Sequence, residues 1–201
     1  MQQSISQFTH FARILGSLFF YEPNVPQNQG LVMLFQNSSW QADCDFLPEN
    51  KRAEIQQNLQ MQSLEQLDED YQTLFIGPNH LPAPLWGSVY LDKESVIFGD
   101  SLLALRAFLQ AHQIHFSLAQ NEPEDHIGLM FMLTAYLAEQ QPELLKPFLR
   151  DHFLTWAYRF FELFNAQNVP FYRGLGILGE ALLKDLQKNL EIEPLAVKLY
   201  R

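Results

Sequence analysis

The chain has 201 residues, enough for one domain with a substantial core, and 47% of them are hydrophobic, including 17 phenylalanines. These values exclude an intrinsically disordered chain. Thirteen Lys and Arg residues against 23 Asp and Glu residues give a formal net charge of −10. This charge argues against a general nucleic-acid binder, and it favours a basic partner if the partner is charged.

The single cysteine, Cys44, excludes an internal disulfide and a cluster of thiolate ligands. The neighbouring Asp43 and Asp45 disfavour a catalytic thiolate at this position. No basic region leads into an apolar run near residue 1, so no export signal is predicted. The longest uncharged apolar run, 127–138, is shorter than the roughly 20 residues that a membrane helix needs. The sequence therefore predicts a cytoplasmic protein without membrane insertion.

Apolar residues at helical spacing over 8–19 predict an amphipathic first helix that ends before Pro23. Residues 22–30 are rich in turn-forming types and predict a connection. Residues 31–35 predict a short apolar helix. The polar stretch 49–59 is helix-prone but has almost no apolar face, so a surface helix is expected there.

The stretch 74–92 combines loop-forming and apolar residues. Three prolines and the lack of a helical pattern between residues 78 and 84 exclude a continuous helix or a central strand. Ordinary solvent-exposed loops are less apolar than this one, so it either packs onto the body or stays open as a binding surface. Residues 89–91 are expected to form a brief extended piece.

Asp100 or Ser101 is expected to cap a further helix. Asn121 is expected to cap the next helix, which would place the acidic residues of 122–125 in its first turn, where the helix dipole stabilises them. The following residues, 127–138, are apolar on every side. They predict a helix that is buried at the centre of a bundle.

The remaining pattern is also helical. A stripe over 64–75 precedes the proline-rich loop, Pro142 is expected to start a helix, an aromatic helix covers 153–164, and a long helix covers 171–186. No alternation of strands with helices is present. The predicted fold is all-α: a single-domain multi-helix bundle over residues 1–201 with a long proline-rich loop.

Two candidate catalytic patterns are weak. His126 beside Asp125 fits an acid/base pair or a metal site, but only Glu122 lies at a spacing that shares a helix face with His126, and two ligands do not make a zinc site. No motif for a nucleophile or a phosphate loop is present. Glycines at 174, 176 and 179 imitate a dinucleotide fingerprint, but no strand precedes them. Small residues that let helices approach are the favoured interpretation.

The proline-rich loop and the acidic stretch 121–126 are expected to face each other. One interpretation is that the loop simply plugs one end of the bundle. The other is that it forms one wall of an apolar groove with acidic residues at one end. Such a groove suits a short peptide that is apolar along one part and carries arginines at another, because guanidinium groups pair bidentately with carboxylates. Composition does not choose between these two.

Four motifs, in this order and spacing, closely resemble the TorD/DmsD family of cytoplasmic redox-enzyme maturation chaperones, with the DmsD branch the closer match. They are Tyr71-x-x-Leu74-Phe75-x-Gly77-Pro78, then Pro82-Ala83-Pro84-x-Trp86-Gly87-Ser88-Val89-Tyr90-Leu91-Asp92, then Phe98-Gly99-Asp100-Ser101, and Glu122-Pro123-Glu124-Asp125-His126. The resemblance implies an all-helical, non-catalytic protein that binds the twin-arginine signal peptide of a molybdenum-cofactor oxidoreductase and holds it until the cofactor is inserted. No cofactor is predicted for the protein itself, since no stretch of the sequence resembles a phosphate cradle.

Carried over by motif, the peptide-binding surface would comprise Tyr71, Leu74, Phe75, Trp86, Gly87, Ser88, Asp125 and His126, with Tyr21 a looser candidate. In this hypothesis Trp86, Leu74 and Phe75 supply apolar burial. Asp125, with Glu122 or Glu124, receives the arginines, and His126 orients an acid or bonds the peptide backbone. The export machinery is a further candidate partner.

Two residues depart from the family pattern: Asn79 stands where relatives often have Trp, and Leu85 where they have a second proline. Both departures affect the prediction of which oxidoreductase, the client, supplies the bound signal peptide. Two other functions stay open: a hydrolase that uses Asp125 and His126, and a scaffold protein without a peptide site. The oligomeric state is open between a monomer and a dimer that swaps helices about the 113–120 connection.

Overall fold

The computed structural model describes residues 2–44, 46–60, 62–78, 80–115 and 121–201. Within these ranges the chain forms helices and no β-strand, which confirms the predicted all-α fold. The helices are α1 (Gln2–Phe20), α2 (Pro26–Gln36), α3 (Glu49–Asn58), α4 (Leu64–Tyr71), α5 (Gly87–Leu91), α6 (Asp100–Ala111), α7 (Ile127–Gln140), α8 (Pro142–Phe148), α9 (Ala157–Asn165) and α10 (Pro170–Asn189).

Three shorter helical pieces complete the described architecture. A 3-10 turn covers Ser39–Asp43, and π-helical turns extend α4 over Gln72–Ile76 and α8 over Leu149–Phe153. The first π turn ends where Gly77 adopts a φ of 99°, a left-handed conformation that favours glycine. The proline-rich loop starts there, as the prolines predict.

The centre of the bundle is α7, which packs along α1. A Cβ atom on Gly16 would lie 2.8 Å from the main-chain oxygen of Gly128, and one on Gly128 would lie 2.8 Å from the oxygen of Gly16. The two helices therefore touch through their main chains at this point. The prediction of a buried apolar helix is confirmed: nine of the α7 residues are buried, and Leu129, Met130 and Phe131 are fully inaccessible.

Aromatic side chains fill the space between α1, α7 and α9. The ring of Phe19 on α1 lies 6.0 Å from Phe131, 6.4 Å from Phe160 and 5.7 Å from Phe164, measured between ring centroids. Edge-to-face and tilted geometries at these separations are the favourable ones for aromatic pairs. Phenylalanines therefore make up a large part of the core, together with a greater number of buried leucines.

The prediction of a connection over 22–30 was wrong in its second half, because α2 already begins at Pro26. The reason is Asn28, which is fully buried although it is polar. Its amide nitrogen donates to the main-chain oxygens of Ser17, Tyr21 and Glu22 and so satisfies carbonyls at the end of α1. A search for periodic apolar residues does not detect a buried polar residue of this kind.

The start of α7 also differs from the prediction. Asn121 does not cap it, and the acids of 122–125 lie before the helix rather than in its first turn. His126 is the N-cap residue, in an extended conformation with φ −64° and ψ 133°. The favourable interaction of these acids with the dipole inside a first turn is therefore not what positions them.

Two further local predictions were wrong. Residues 89–91 are not extended but belong to the short helix α5. Helix α6 begins at Asp100 with Gly99 as its N-cap residue, so neither Asp100 nor Ser101 is the cap. The polar helix predicted over 49–59 is α3, and its buried Ile55 faces the body of the protein while α3 packs against α10.

Residues 116–120 of the connection expected to act as a swapping hinge lie outside the described residues, as does Asn79. Across the described ranges, no helix is both long enough and apolar enough to span a bilayer.

Candidate functional site

The loop and the acidic stretch meet, as predicted, through a two-residue antiparallel pairing. The N–H of Ile127 donates to the oxygen of Leu85 at 2.7 Å, and the N–H of Gly87 donates to the oxygen of Asp125 at 3.1 Å. This pairing sets Trp86 opposite His126. The loop is thereby fixed against the start of the most buried helix.

A cavity of about 220 Å³ lies beside this pairing, and we call it the Trp86 pocket. It is mostly aromatic and apolar and contains two carboxylates. Its lining residues are Phe20, Tyr21, Glu22, Val25, Tyr71, Phe75, Ile76, Leu85, Trp86, Glu122 and His126. Six of the residues predicted for the site therefore line one cavity: Tyr21, Tyr71, Phe75, Trp86, Glu122 and His126.

Trp86 and Glu122 are hydrogen-bonded to each other. The indole Nε1 of Trp86 donates to Oε1 of Glu122 at 2.6 Å. Burial raises the pKa of Glu122, and the bond from Trp86 opposes this rise by stabilising the carboxylate. The negative charges of Glu22 and Glu122 add to burial in raising the pKa of Tyr71, whose hydroxyl donates to the oxygen of Phe20 at 2.9 Å. Both carboxylates therefore act electrostatically on the pocket.

His126 is a buried, neutral side chain. Its Nδ1 accepts a hydrogen bond from the N–H of Gly128 at 3.1 Å, and its ring contacts Phe20 and Trp86 edge-to-face. Burial lowers the pKa of His126 to about 3. Since Nδ1 is an acceptor, the proton of the neutral ring sits on Nε2, which donates to none of the described residues. Nε2 is thus a hydrogen-bond donor at the wall of the pocket.

Asp125 points away from the Trp86 pocket. Only 4% of its surface is exposed, and its Oδ2 accepts a hydrogen bond from the N–H of Ser88 at 2.7 Å. Its Oδ1 and the hydroxyl of Ser88 are buried and have no partner among the described residues. Burial raises the pKa of Asp125, while the hydrogen bond from the N–H of Ser88 lowers it. Asp125 therefore fixes the main chain of α5.

The other predicted residues are distributed over separate surroundings. Leu74 is buried in the core, and Glu124 forms an ion pair with Arg106 at 2.7 Å. Gly87 and Asp125 line a different cavity of about 560 Å³ on the other side of the pairing. We call this cavity the Asp125 groove. Of the three acids predicted to receive arginines, only Glu122 lines the Trp86 pocket.

Comparison with known proteins bears on what this arrangement does. Residues 45–162 match the family model described as nitrate reductase delta subunit. Over 203 aligned residues the chain is 49% identical to the probable Tat proofreading chaperone DmsD of Haemophilus influenzae, with all of both chains covered. The chain belongs to the TorD/DmsD family.

Two further similarities agree with this membership. The Tat proofreading chaperone DmsD of Salmonella typhimurium is 42% identical over 193 residues, which cover 95% of this chain and 94% of the relative. A crystal structure of a putative redox enzyme maturation protein from Archaeoglobus fulgidus superposes with a TM-score of 0.56 at 22% identity, covering 86% of this chain and 93% of that one. At that identity the superposition supports the fold alone.

As a member of the TorD/DmsD family, the chain is a chaperone of redox-enzyme maturation and not an enzyme. The predicted alternative of a hydrolase is therefore set aside, and the geometry agrees. The Oδ2 of Asp125 is bonded to Ser88, and the Nδ1 of His126 accepts from Gly128, so this nitrogen has no proton to donate to a carboxylate.

Metal and dinucleotide sites find no support in the described part of the chain. No group of three or more His, Cys, Asp or Glu side chains there is arranged to hold a metal ion. The glycines at 176 and 179 lie within α10, where a Cβ atom would come within 2.8 Å of Phe164 and 2.9 Å of Phe161. These glycines let α10 approach α9, which confirms the favoured interpretation.

Sequence reasoning missed five residues of the Trp86 pocket: Phe20, Glu22, Val25, Ile76 and Leu85. Phe20 and Glu22 flank Tyr21, which was predicted, so the end of the first helix carried a usable signal. Val25 and Leu85 join the pocket only through tertiary folding. Leu85 departs from the family pattern; its carbonyl oxygen accepts the hydrogen bond from Ile127, and the residue also lines the pocket.

Proposed function

We propose that this chaperone binds the twin-arginine signal peptide of a molybdenum-cofactor oxidoreductase of the DMSO-reductase type. In this proposal the chaperone holds the peptide until the cofactor has been inserted into the oxidoreductase, and export follows only afterwards. The names of the relatives, Tat proofreading chaperones, support this assignment. The lining of the Trp86 pocket provides the physical argument.

The observation that carries the proposal is a pair of unneutralised carboxylates in an aromatic pocket. Neither Glu22 nor Glu122 forms an ion pair with any cation in the described ranges. Tyr21 and Trp86 are aromatic neighbours of these acids. A guanidinium group can pair with a carboxylate and stack on an aromatic ring at the same time, which an ammonium group does less well. The pocket thus matches arginine more closely than lysine.

The remaining surfaces of the pocket suit the rest of a leader peptide. Ile76, which is 58% exposed, offers apolar contact, and burial of an apolar side chain contributes about 25 cal/mol per Å² removed from water. Nε2 of His126 donates to a peptide carbonyl in this proposal, since it has no acceptor among the described residues. A peptide in which arginines are followed by apolar residues matches both the carboxylates and the apolar lining of the pocket.

The net charge of −10 favours encounter with a basic leader over encounter with a neutral one. Binding of the leader takes place in the cytoplasm in this proposal, before the client meets the twin-arginine export machinery. Release follows when the folded, cofactor-loaded client is engaged by that machinery, which competes for the same leader.

Calorimetric titration with a synthetic twin-arginine leader tests the proposal. We expect saturable binding in the micromolar range or tighter, and weaker binding of a leader whose two arginines are lysines. Equal affinity for both leaders would contradict the arginine-specific pocket. Absence of binding at micromolar protein would favour the remaining alternative, a scaffold protein in which the loop only packs.

A further inference from the structure

An apolar groove lies between α2 and α4, and we call it the α2–α4 groove. It encloses a cavity of about 210 Å³. It shares no lining residue with the Trp86 pocket or with the Asp125 groove. Its lining residues are Gln29, Val32, Met33, Gln36, Gln62, Leu64 and Leu67.

The apolar side chains of this groove are only partly covered by the rest of the chain. Val32 and Leu67 are buried, whereas Met33 is 64% exposed and Leu64 is 42% exposed. Exposed apolar side chains that are grouped around a cavity are typical of interaction sites, while singly scattered ones are not. Methionine is also unbranched and flexible, so it adapts to the surface of a partner.

The two walls of the groove are held together by side-chain hydrogen bonds. Near the start of α2, Nδ2 of Asn24 donates to Oδ1 of Asp68 at 2.9 Å. At the end of α2, Nε2 of Gln36 donates to the main-chain oxygen of Gln62 at 3.1 Å. The groove is therefore formed before any partner arrives, and a preformed site binds at a lower entropic cost.

The surroundings of the groove are acidic. Residues 14–50 and 53–92, which contain α2 and α4, include no Lys or Arg. Helix α4 carries four acids that form no ion pair within the described ranges: Glu65, Asp68, Glu69 and Asp70. At 100° per residue, Asp68 and Asp70 flank the stripe of Leu64 and Leu67 on opposite sides. The charge therefore favours an occupant whose apolar face has basic residues on its flanks.

The walls of the groove favour a helical occupant over an extended one. Both walls are helices, whose main-chain groups bond within the helix and offer no strand edge to an extended peptide. A helical occupant satisfies its own main-chain groups and needs only side-chain contacts. Oε1 of Gln62 is buried without a hydrogen-bond partner among the described residues, so it is an acceptor for a basic side chain of the occupant.

We propose that the α2–α4 groove is a docking site for a basic amphipathic helix of a second protein. The helix has leucine-sized side chains on one face and Lys or Arg on both flanks of that face. Because this groove and the Trp86 pocket have no lining residue in common, the docked helix and a signal peptide bind at the same time. The inference does not depend on the proposed function.

Fluorescence anisotropy with the full chain tests the groove. The probe is a labelled synthetic helix of about 15 residues, made of leucine and lysine with the leucines on one face. We expect saturable binding in the micromolar range. A peptide of the same composition whose leucines are spread around the helix should bind at least about tenfold more weakly, since it has no apolar face. Equal binding of the two peptides would show general attraction of charge and would overturn the inference.

A pair of variants locates the bound helix. Replacing both Met33 and Leu64 by Gln should weaken binding of the synthetic helix about tenfold, because two apolar contacts are lost. Leu103→Gln is the control: Leu103 is 56% exposed on α6 and does not line the groove, so its affinity should stay within about twofold. All three substituted side chains are exposed, and circular dichroism checks that both variants fold. Equal affinities of the two variants would overturn the inference.

Competition distinguishes the possible occupants. An unlabelled twin-arginine leader should leave the bound synthetic helix in place. Displacement by the leader would assign the groove to the leader and overturn docking of a second protein. Self-association of the full chain that disappears when Met33 and Leu64 are replaced would assign the groove to a second copy, which also overturns the inference. If the synthetic helix binds and the leader does not, the proposed function fails while the docking site stands.

Discussion

The indole nitrogen of Trp86 lies 2.6 Å from Oε1 of Glu122, so the aromatic wall and the carboxylate of the Trp86 pocket hold each other in place. The bond leaves the second carboxylate oxygen of Glu122 available to a ligand. A charged acceptor that is partly buried and already oriented makes stronger hydrogen bonds than a flexible surface acid. The same contact limits the rotation of Trp86.

Glu122→Gln should weaken binding of a twin-arginine leader about five- to tenfold, the range expected when a partly buried ion pair is lost. The amide oxygen of Gln can still accept the bond from Trp86, so the effect reports charge rather than collapse of the pocket. The measurement is calorimetric titration at low salt.

Glu124→Gln is the matched control for this substitution. Glu124 is a neighbouring acid that is already paired with Arg106 and does not line the Trp86 pocket. We expect its replacement to change leader affinity by less than about twofold, as is common for exposed pairs. Equal losses for the two variants would show that general negative charge, and not Glu122, receives the arginines.

His126 should make the protein less stable on mild acidification. Its pKa is about 3 in the folded chain and about 6.5 when unfolded, so below pH 6.5 the unfolded chain takes up a proton that the folded one does not. Stability from this group is complete above pH 6.5 and is lost as the pH falls towards 3. Between pH 7.5 and 5 the wild type should lose about 2 kcal/mol more unfolding free energy than His126→Asn.

Asn is chosen because its side chain can replace His126 as the N-cap residue of α7. His126→Ala removes both the titration and the cap, and it should lower stability by about 1 kcal/mol at pH 7.5. Urea unfolding at the two pH values measures both effects. Parallel pH dependences for the wild type and His126→Asn would show that this imidazole does not titrate on unfolding.

Asp125→Ala should destabilise the fold by about 2 kcal/mol, since a hydrogen bond to a charged, buried acceptor is removed from the N–H of Ser88. Asp125→Asn keeps an acceptor and should cost less. Because Asp125 is buried, the loss should be the same at low and high salt. A loss in urea unfolding that disappears at high salt would indicate an exposed, screened charge instead.

Gly87→Ala should destabilise the protein by about 1–3 kcal/mol, the usual cost of overpacking. The added Cβ atom would lie 2.6 Å from Nε1 of Trp156, a buried side chain whose ring stacks on Tyr90. Gly30→Ala is the control: it lies within α2 with no atom near its Cβ position, and it should stabilise by about 0.5–1 kcal/mol. Thermal unfolding of both variants measures the contrast, and equal effects would contradict the close packing at Gly87.

The long helices could be predicted from sequence because their apolar faces persist over several turns. This holds for α1, α7 and α10, whose burial follows the pattern of the residues themselves. The start of α7 could not be predicted in this way. It is set by the bond from Ile127 to Leu85, two residues far apart in the chain, and local capping preferences do not contain that information.

The sequence allowed us to predict which residues of the site lie near one another, but not which way each side chain faces. Motif resemblance named Trp86, Glu122 and His126, and the structure brings these three residues to one pocket. The same reasoning grouped Asp125 with them, although its side chain faces the opposite side. Which side a residue faces depends on the pairing of two loops, and neither loop has the regular period that would reveal it.

The short pairing of Leu85 with Ile127 and of Gly87 with Asp125 separates two cavities, the Trp86 pocket and the Asp125 groove. A substitution in this pairing should displace the lining of both cavities together. Alanine scanning across it should therefore give energies that do not add, because the sites share one support. A loss of binding affinity on substitution in this pairing therefore reflects a change in the rigidity of the pairing as much as a lost contact with the ligand.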